Sequence, residues 1–287
     1  MTSTSTAGEP AVRSAGLDEA VDAMAAILTG RPIAILTGAG ISTDSGIPDY
    51  RGEGSRVVNP MTISHFLGDP TARKRYWAGS HLGWRRFTEV RPNAGHRAVA
   101  ALELAGVANG VVTQNVDGLH LRAGSRRVVD IHGSSDRVRC LRCGQIFARD
   151  GIAQRMADAN PWLNAPESVE LNPDGDVAIE AYGDMIVPEC TVCGGDLKPE
   201  VVFFGEFVPT EKFAEASALV RGAEALVIAG SSLTVNSGIR LLDQAAKRRI
   251  PIVIVNRGTT KGDARATLKI DAGTSEVLGA LAERLTS

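Results

Sequence analysis

The sequence predicts an α/β protein: a mainly parallel sheet with helices on both faces, interrupted by a small metal-held module. Three observations carry this. Short apolar runs alternate with helical patterns over most of the chain, a glycine turn follows the first run, and a cysteine-bearing stretch breaks the alternation.

Residues 1–16 are rich in Ser, Thr, Ala and Gly, with Arg13 the only basic residue and no apolar stretch. They read as a disordered tail rather than a secretory signal, which leaves the cytoplasm as the expected compartment. Leu17, Val21, Met24, Ala25 and Leu28 then recur at helical spacing until Gly30-Arg31-Pro32 stops the pattern. A buried strand is expected at 33–37, with partners at 111–113, 128–131, 225–229 and 252–255. Helical patterns occupy 95–105, 210–221, 238–249 and 275–285. The rhythm fails between 139 and 199, where prolines and glycines are frequent and no long helix is expected. Residues 17–138 and 200–287 therefore read as one domain, and 139–199 as an insertion in it.

Thirty-one basic residues stand against 33 acidic ones, so the basic excess of a general nucleic-acid binder is missing and nucleic acid is not an expected partner. No apolar run approaches the roughly 20 residues of a membrane helix, and no membrane association is expected.

The first strand runs into Gly38-Ala39-Gly40-Ile41-Ser42. Glycines there let the backbone turn tightly and approach a pyrophosphate, with free N–H groups at a helix start to receive its charge. The third glycine of the dehydrogenase fingerprint is absent, since Thr43 takes its place, and no ribose-binding acid ends a second strand about 20 residues on. A turn-rich segment, Gly46-Ile-Pro-Asp49-Tyr50-Arg51-Gly52, follows instead and suits a loop that folds over a bound cofactor. An ordinary surface loop is the alternative.

Packing does not call for Gln114, Asn115 and Asp117 in near succession after a buried strand, and that edge of an open α/β sheet is where ligands bind. A carboxamide and a carboxylate there suit a carboxamide-bearing ring and a held water; an Asx-type turn capping the next helix is the other reading. His132, at the end of the run 128–131 and beside Gly133, is a candidate general base because its ordinary pKa lies near neutrality. A structural histidine is the plainer alternative, and it is the reading for His65, His81, His96 and His120. Asn93 reads as the cap of the helix that contains His96.

The four cysteines form two C-x-x-C pairs, Cys140 with Cys143 and Cys190 with Cys193. Each short loop can present two thiolates to one ion, and four sulfurs complete a tetrahedral zinc site with no position open for water. One structural Zn²⁺ is expected, in an inserted zinc-binding module. Residues 144–189 separate the pairs, a longer span than a simple zinc ribbon needs.

These motifs occur together and in this order in the sirtuins, and the chain resembles that family over nearly its whole length. Lys198-Pro-Glu-Val-Val-Phe-Phe204-Gly205-Glu206, Gly230-Ser231-Ser232-Leu233-Thr-Val235 and Val255-Asn256 extend the match. The resemblance is closest to the class II branch, on Tyr50, on Arg73-Lys-Arg-Tyr-Trp77 and on Leu171-Asn-Pro-Asp-Gly-Asp176, which lies in a stretch from 156 to 197 without Lys or Arg.

The resemblance implies a Rossmann-like fold and an NAD-consuming protein lysine deacylase that moves the acyl group to ADP-ribose and releases nicotinamide. Protein mono-ADP-ribosylation from the same NAD site is the nearest alternative. It implies that Gly38, Ala39, Gly40, Ser42, Thr43, Gly230, Ser231, Ser232, Asn256, Arg257, Gly258 and Thr274 meet the phosphate and adenosine half of NAD. Gln114, Asn115, Val116 and Asp117 would meet the nicotinamide side, with Asp49, Tyr50 and Arg51 closing over it. His132 and Asn115 would be catalytic. Phe204, Gly205, Glu206, Leu233 and Val235 would bind an acylated-lysine protein or peptide as an added strand. The stretch Tyr76 to Gly83 would line the acyl channel. It lacks an arginine three residues after Tyr76, which argues against succinyl, and small Ala78 and Gly79 suggest room for longer chains.

Overall fold

The computed structural model describes residues 15–52, 59–163, 170–179 and 182–286. Most of the expected tail lies outside these residues, and Ala15 and Gly16 already belong to the first helix.

The chain opens with α1 (Ala15–Leu28) and β1 (Ile33–Thr37), then α2 (Ile63–Gly68), α3 (Pro70–Glu89) and α4 (Ala94–Leu104). Next come β2 (Ala108–Thr113), α5 (Leu119–Arg122), β3 (Val128–Asp130), β4 (Gly133–Cys140), β5 (Ile146–Ala148) and α6 (Arg149–Ala159). The final part runs β6 (Leu197–Val201), α7 (Thr210–Arg221), β7 (Ala225–Ala229), α8 (Asn236–Lys247), β8 (Ile252–Val255), β9 (Leu268–Ile270) and α9 (Thr274–Leu285).

Six strands form one sheet in the order β3-β2-β1-β7-β8-β9, and every neighbouring pair is parallel. Every residue of β1, β7 and β8 is buried, as expected of strands covered on both faces. Alternation along β1 divides the core. Ile33 and Ile35 pack with α1, α4 and α9, whereas Ala34 and Leu36 pack with α7 and α8. The strand order reverses between β1 and β7, so their carboxyl ends part to leave a crevice.

A second, antiparallel sheet, β5-β4-β6, carries both cysteine pairs at or beyond its strand ends. Gly133 begins it at φ +83°, and a Cβ there would lie 1.9 Å from the Glu200 carbonyl, so only glycine serves. Phe66, Trp77, Val138, Ile152, Met156, Leu197 and Phe203 join this sheet to α2, α3 and α6 in a separate apolar cluster.

Two helices depart from the sequence expectation. Residues 139–199 contain α6, whose buried apolar side chains are only Ile152 and Met156, four residues apart and preceded by Gly151 in the first turn. So thin a stripe gives little periodic signal. The 20-residue α3 is started by the Asp69 side chain, which accepts from Thr71 N at 2.8 Å, with Pro70 in the first turn. Its buried face includes Ala78, Gly79 and Gly83, which hydropathy does not flag.

Candidate active site

The glycine turn works through close backbone approach. A Cβ on Gly40 would lie 2.9 Å from Gly230 Cα, and one on Gly230 would lie 2.4 Å from Ile41 N. Gly38 and Gly40 thus lock against Gly230 at the β1/β7 switch, which supplies the contact that Thr43 cannot. One expectation is corrected. The turn leads into two short 3₁₀ turns, 39–41 and 43–45, rather than an α-helix start. The amides of Gly40, Ile41 and Ser42 are already bonded to the carbonyls of Gly230, Gly38 and Ala39. The hydroxyls of Thr43 and Thr274 are likewise committed to the Gly40 carbonyl, at 3.1 and 3.3 Å, and that of Ser232 lies 3.0 Å from Thr234 Oγ1.

Asp117 makes the Asx-type cap and also joins the polar cluster at the strand end. Its Oδ1 accepts from Leu119 N at 2.9 Å, the Asx-type cap, while Oδ2 accepts from Ser42 Oγ at 2.7 Å. The Asn115 amide nitrogen donates to Ser42 Oγ at 3.0 Å, so residues from two strand ends meet in one polar cluster. Gln114 Oε1 accepts from Ser231 Oγ at 2.6 Å, tying β2 to β7 across β1. Val116 turns away into the apolar cluster with Phe66 and Phe203.

Behind this cluster stand two histidines given only structural readings. His96 completes a capping box with Asn93 and lies 3.4 Å from Ser42 Oγ, and His120 lies 2.9 Å from Thr37 Oγ1. Burial lowers His96 to about 4 and His120 to about 3, so both are neutral near pH 7. No spacing in the sequence brings His96 and His120 together; their rings meet edge to face at 4.9 Å only because α4 and α5 pack.

His132 is half-buried between the two sheets. Its Nδ1 lies 2.9 Å from the Gln114 carbonyl and its Nε2 2.9 Å from Ser237 Oγ. Burial lowers its pKa, opposed by the bond to Gln114.

The loop after the glycine turn is held at both ends. Asp49 Oδ1 accepts from Arg51 N at 3.2 Å and Gly52 N at 2.6 Å, and Arg51 is exposed. The Tyr50 hydroxyl donates to Asp174, and its ring meets Phe204 edge-on at 5.9 Å. At the expected peptide edge, the Phe204 carbonyl already accepts from Ile63 N at 3.0 Å, and Gly205 sits at φ +79°. The Glu206 carboxylate lies 3.0 Å from Lys198 Nζ, and Leu233 is fully buried, so any pairing through these residues falls to their backbone. Val235 remains exposed. Asn256, Arg257 and Gly258 follow β8 at the same sheet edge, with Gly258 N bonded to Asp271 at 3.0 Å. Thr274 Oγ1 reaches the Gly40 carbonyl at 3.3 Å, which brings α9 to the turn.

The four sulfurs of Cys140, Cys143, Cys190 and Cys193 lie within 4.8 Å of one another, and none is in a disulfide. Cys140 and Cys193 are 3.5 Å apart and Cys143 and Cys190 3.7 Å. Tetrahedral bonds of about 2.3 Å require sulfurs about 3.8 Å apart, so the cluster fits Zn²⁺. Amides of Arg142, Cys143 and Val192 point at Cys140 or Cys190 sulfur at 3.4–3.5 Å, as thiolates require.

One further expectation is corrected. The space beside Ala78 and Gly79 is filled, because a Cβ on Gly79 would lie 2.2 Å from the Val177 carbonyl. The segment 171–177 occupies that groove, with Val177 against Gly79 and Gly175 against Gly83.

A family model described as the Sir2 family matches residues 38–237, from the glycine turn through Ser237. The chain belongs to the Sir2 family. NAD-dependent protein deacetylase 1 of Mycobacterium avium is 52% identical over 267 residues, which are 92% of this chain and 95% of that protein. NAD-dependent protein deacylase Sirt4 of Drosophila melanogaster is 43% identical over 260 residues, 88% of this chain and 83% of that protein. A solved Sir2 with a p53 peptide and NAD⁺ aligns with TM-score 0.74 and 30% identity, covering 92% of this chain and 97% of the other. Among the described residues of this sirtuin, no helix is long and apolar enough to cross a membrane.

Proposed function

We propose that this sirtuin is an NAD-dependent protein lysine deacylase, transferring acyl groups from lysine to ADP-ribose and releasing nicotinamide. The observation that carries this reading is the His132 ring, whose Nδ1 bonds to the Gln114 carbonyl after β2 and whose Nε2 meets Ser237 in the first turn of α8, after β7. NAD supplies the electrophilic ribose carbon. Ser42, Asn115 and Asp117 orient the nicotinamide side and a water, and His132 takes a proton from a ribose hydroxyl. Gly38, Gly40, Ser231, Ser232 and the residues after β8 hold the phosphate and adenosine half. An acyl-lysine peptide pairs with the backbones around Gly205 and Thr234. Zn²⁺ on the four cysteines is structural, since four thiolates leave no open position.

The 43% identity to the fly deacylase supports placement in the class II branch. The compartment is proposed to be the cytoplasm, consistent with four cysteines kept out of disulfides.

The test is a panel of acyl-lysine peptides incubated with NAD, with products read by mass. Stoichiometric nicotinamide and acyl-ADP-ribose are expected. ADP-ribose accumulating on protein with no peptide deacylation would replace this reading with mono-ADP-ribosylation.

A further inference from the structure

Ser237 occupies the first turn of α8, is 5% exposed, and places its hydroxyl 2.9 Å from His132 Nε2. The other ring nitrogen faces the Gln114 carbonyl at the same distance. A carbonyl only accepts, so Nδ1 carries the ring proton, Nε2 holds the lone pair, and the Ser237 hydroxyl donates to it. The amide-rich start of this 12-residue helix adds positive potential beside Nε2 and further disfavours a proton there.

The surrounding charges are committed elsewhere. Asp130 of β3 interacts with Asp136 and Arg137 of β4 and Lys212 of α7. On α8, Arg240 lies over the Phe213 ring and Asp243 pairs with Arg265. The shift of His132 comes from burial and from Gln114, with no charged side chain contributing.

We propose that Ser237 is a positioning residue for His132, holding Nε2 as an aimed acceptor in the resting enzyme and ceding that place to the ribose hydroxyl. One hydroxyl donor is exchanged for another, so the ring needs neither to rotate nor to change tautomer when substrate arrives. This rests on the reading of His132 as general base, and the test separates the two.

Ser237→Ala, Ser237→Thr and His132→Ala are compared by steady-state kinetics, NAD binding and ¹⁵N NMR of the His132 ring. Ser237→Ala should lower kcat about tenfold, short of the roughly 10²–10⁴-fold loss of a general base, while KM for NAD stays within about twofold. His132 should titrate at higher pH in that variant, and Ser237→Thr should restore both properties. Unchanged kcat and unchanged ring titration in Ser237→Ala would overturn the proposal while leaving the base intact. Wild-type turnover by His132→Ala would instead remove the histidine from the chemistry. If Ser237→Ala does not fold, the wild-type spectrum decides: a proton on Nε2 refutes the assignment, and a proton on Nδ1 with a hydrogen-bonded Nε2 supports it.

Discussion

The phenol of Tyr50, in the loop that follows the glycine turn, donates its hydrogen bond to Asp174, 124 residues further along the chain. Through this contact the segment 171–177 is fastened to the loop 46–52. The Asp174 carboxyl is pushed up to about 6, chiefly by burial, and the Tyr50 bond only partly offsets that.

A pH dependence follows. Because the folded protein holds the Asp174 proton more tightly than the unfolded chain, this group contributes stability at low pH that is lost as pH rises from about 4 to about 6. Asp174→Asn keeps an acceptor for Tyr50 and removes the charge. It should be more stable than wild type at pH 7 by about 1–3 kcal/mol, with the difference vanishing near pH 4. Melting curves of both proteins from pH 4 to 8 check this. A variant destabilised equally at every pH would show that the carboxylate is required as such.

Acyl selectivity is expected to disfavour acids. Asp174 and Asp176 both act on Tyr50 and Tyr76, and Arg85 and Arg86 are exposed on α3, with Arg85 paired to Glu89. An acyl carboxylate brought to the mouth of this occupied groove would meet like charge without a bidentate partner, forfeiting about 1.5–3 kcal/mol. kcat/KM on acetyl, longer neutral and succinyl versions of one peptide should fall at least about tenfold for succinyl. Succinyl-lysine as the best substrate would sink this reading of the groove.

Lys198 is expected to govern peptide binding rather than cofactor binding. Its ammonium, 8% exposed, bonds to Glu206 and Val201 and lies 4.6 Å from the Phe203 ring centre, while Glu206 also accepts from Phe203 N at 2.9 Å. This clamp shapes the turn that bears Phe204 and Gly205. Lys198→Met leaves Glu206 unpaired and should destabilise by about 3 kcal/mol, less than a fully buried pair because Glu206 keeps solvent contact. KM for peptide should rise several-fold with KM for NAD unchanged. Equal changes in both constants would indicate general damage.

Removing one zinc ligand should unfold the small sheet. The metal's binding energy is folding energy, and three thiolates cannot replace the fourth. Cys140→Ala is expected to lose zinc and to precipitate or melt at least about 10 °C lower, read by metal analysis and calorimetry. A zinc-free, well-folded and active variant would show that the metal is dispensable.

The elements legible in the sequence are those whose signal is local. Buried on both faces, 33–37, 225–229 and 252–255 read as unbroken apolar runs, and two C-x-x-C pairs state a ligand set outright. Strand β9 was not legible, because Leu268-Lys269-Ile270 is three residues long and only Ile270 is buried. The occupied groove beside Gly79 was not legible either. Small residues on a helix look alike whether they leave a channel or admit another backbone, and only residue 177, far along the chain, decides between them. Ser237 escaped for a related reason: a serine in a first helical turn has an ordinary capping explanation, and the imidazole that gives it meaning lies 105 residues earlier.

His132 stands between Asp130, where β3 leaves the large sheet, and Gly133, where β4 enters the small one, and its carbonyl accepts from Val202 N at 2.8 Å. The imidazole proposed as general base is thus mounted on the seam between the two sheets rather than within either. A molecule wedged between the sheets would tilt the imidazole without touching the residues proposed to hold NAD or peptide. Inhibitors of that kind would keep their potency at saturating NAD and saturating peptide alike.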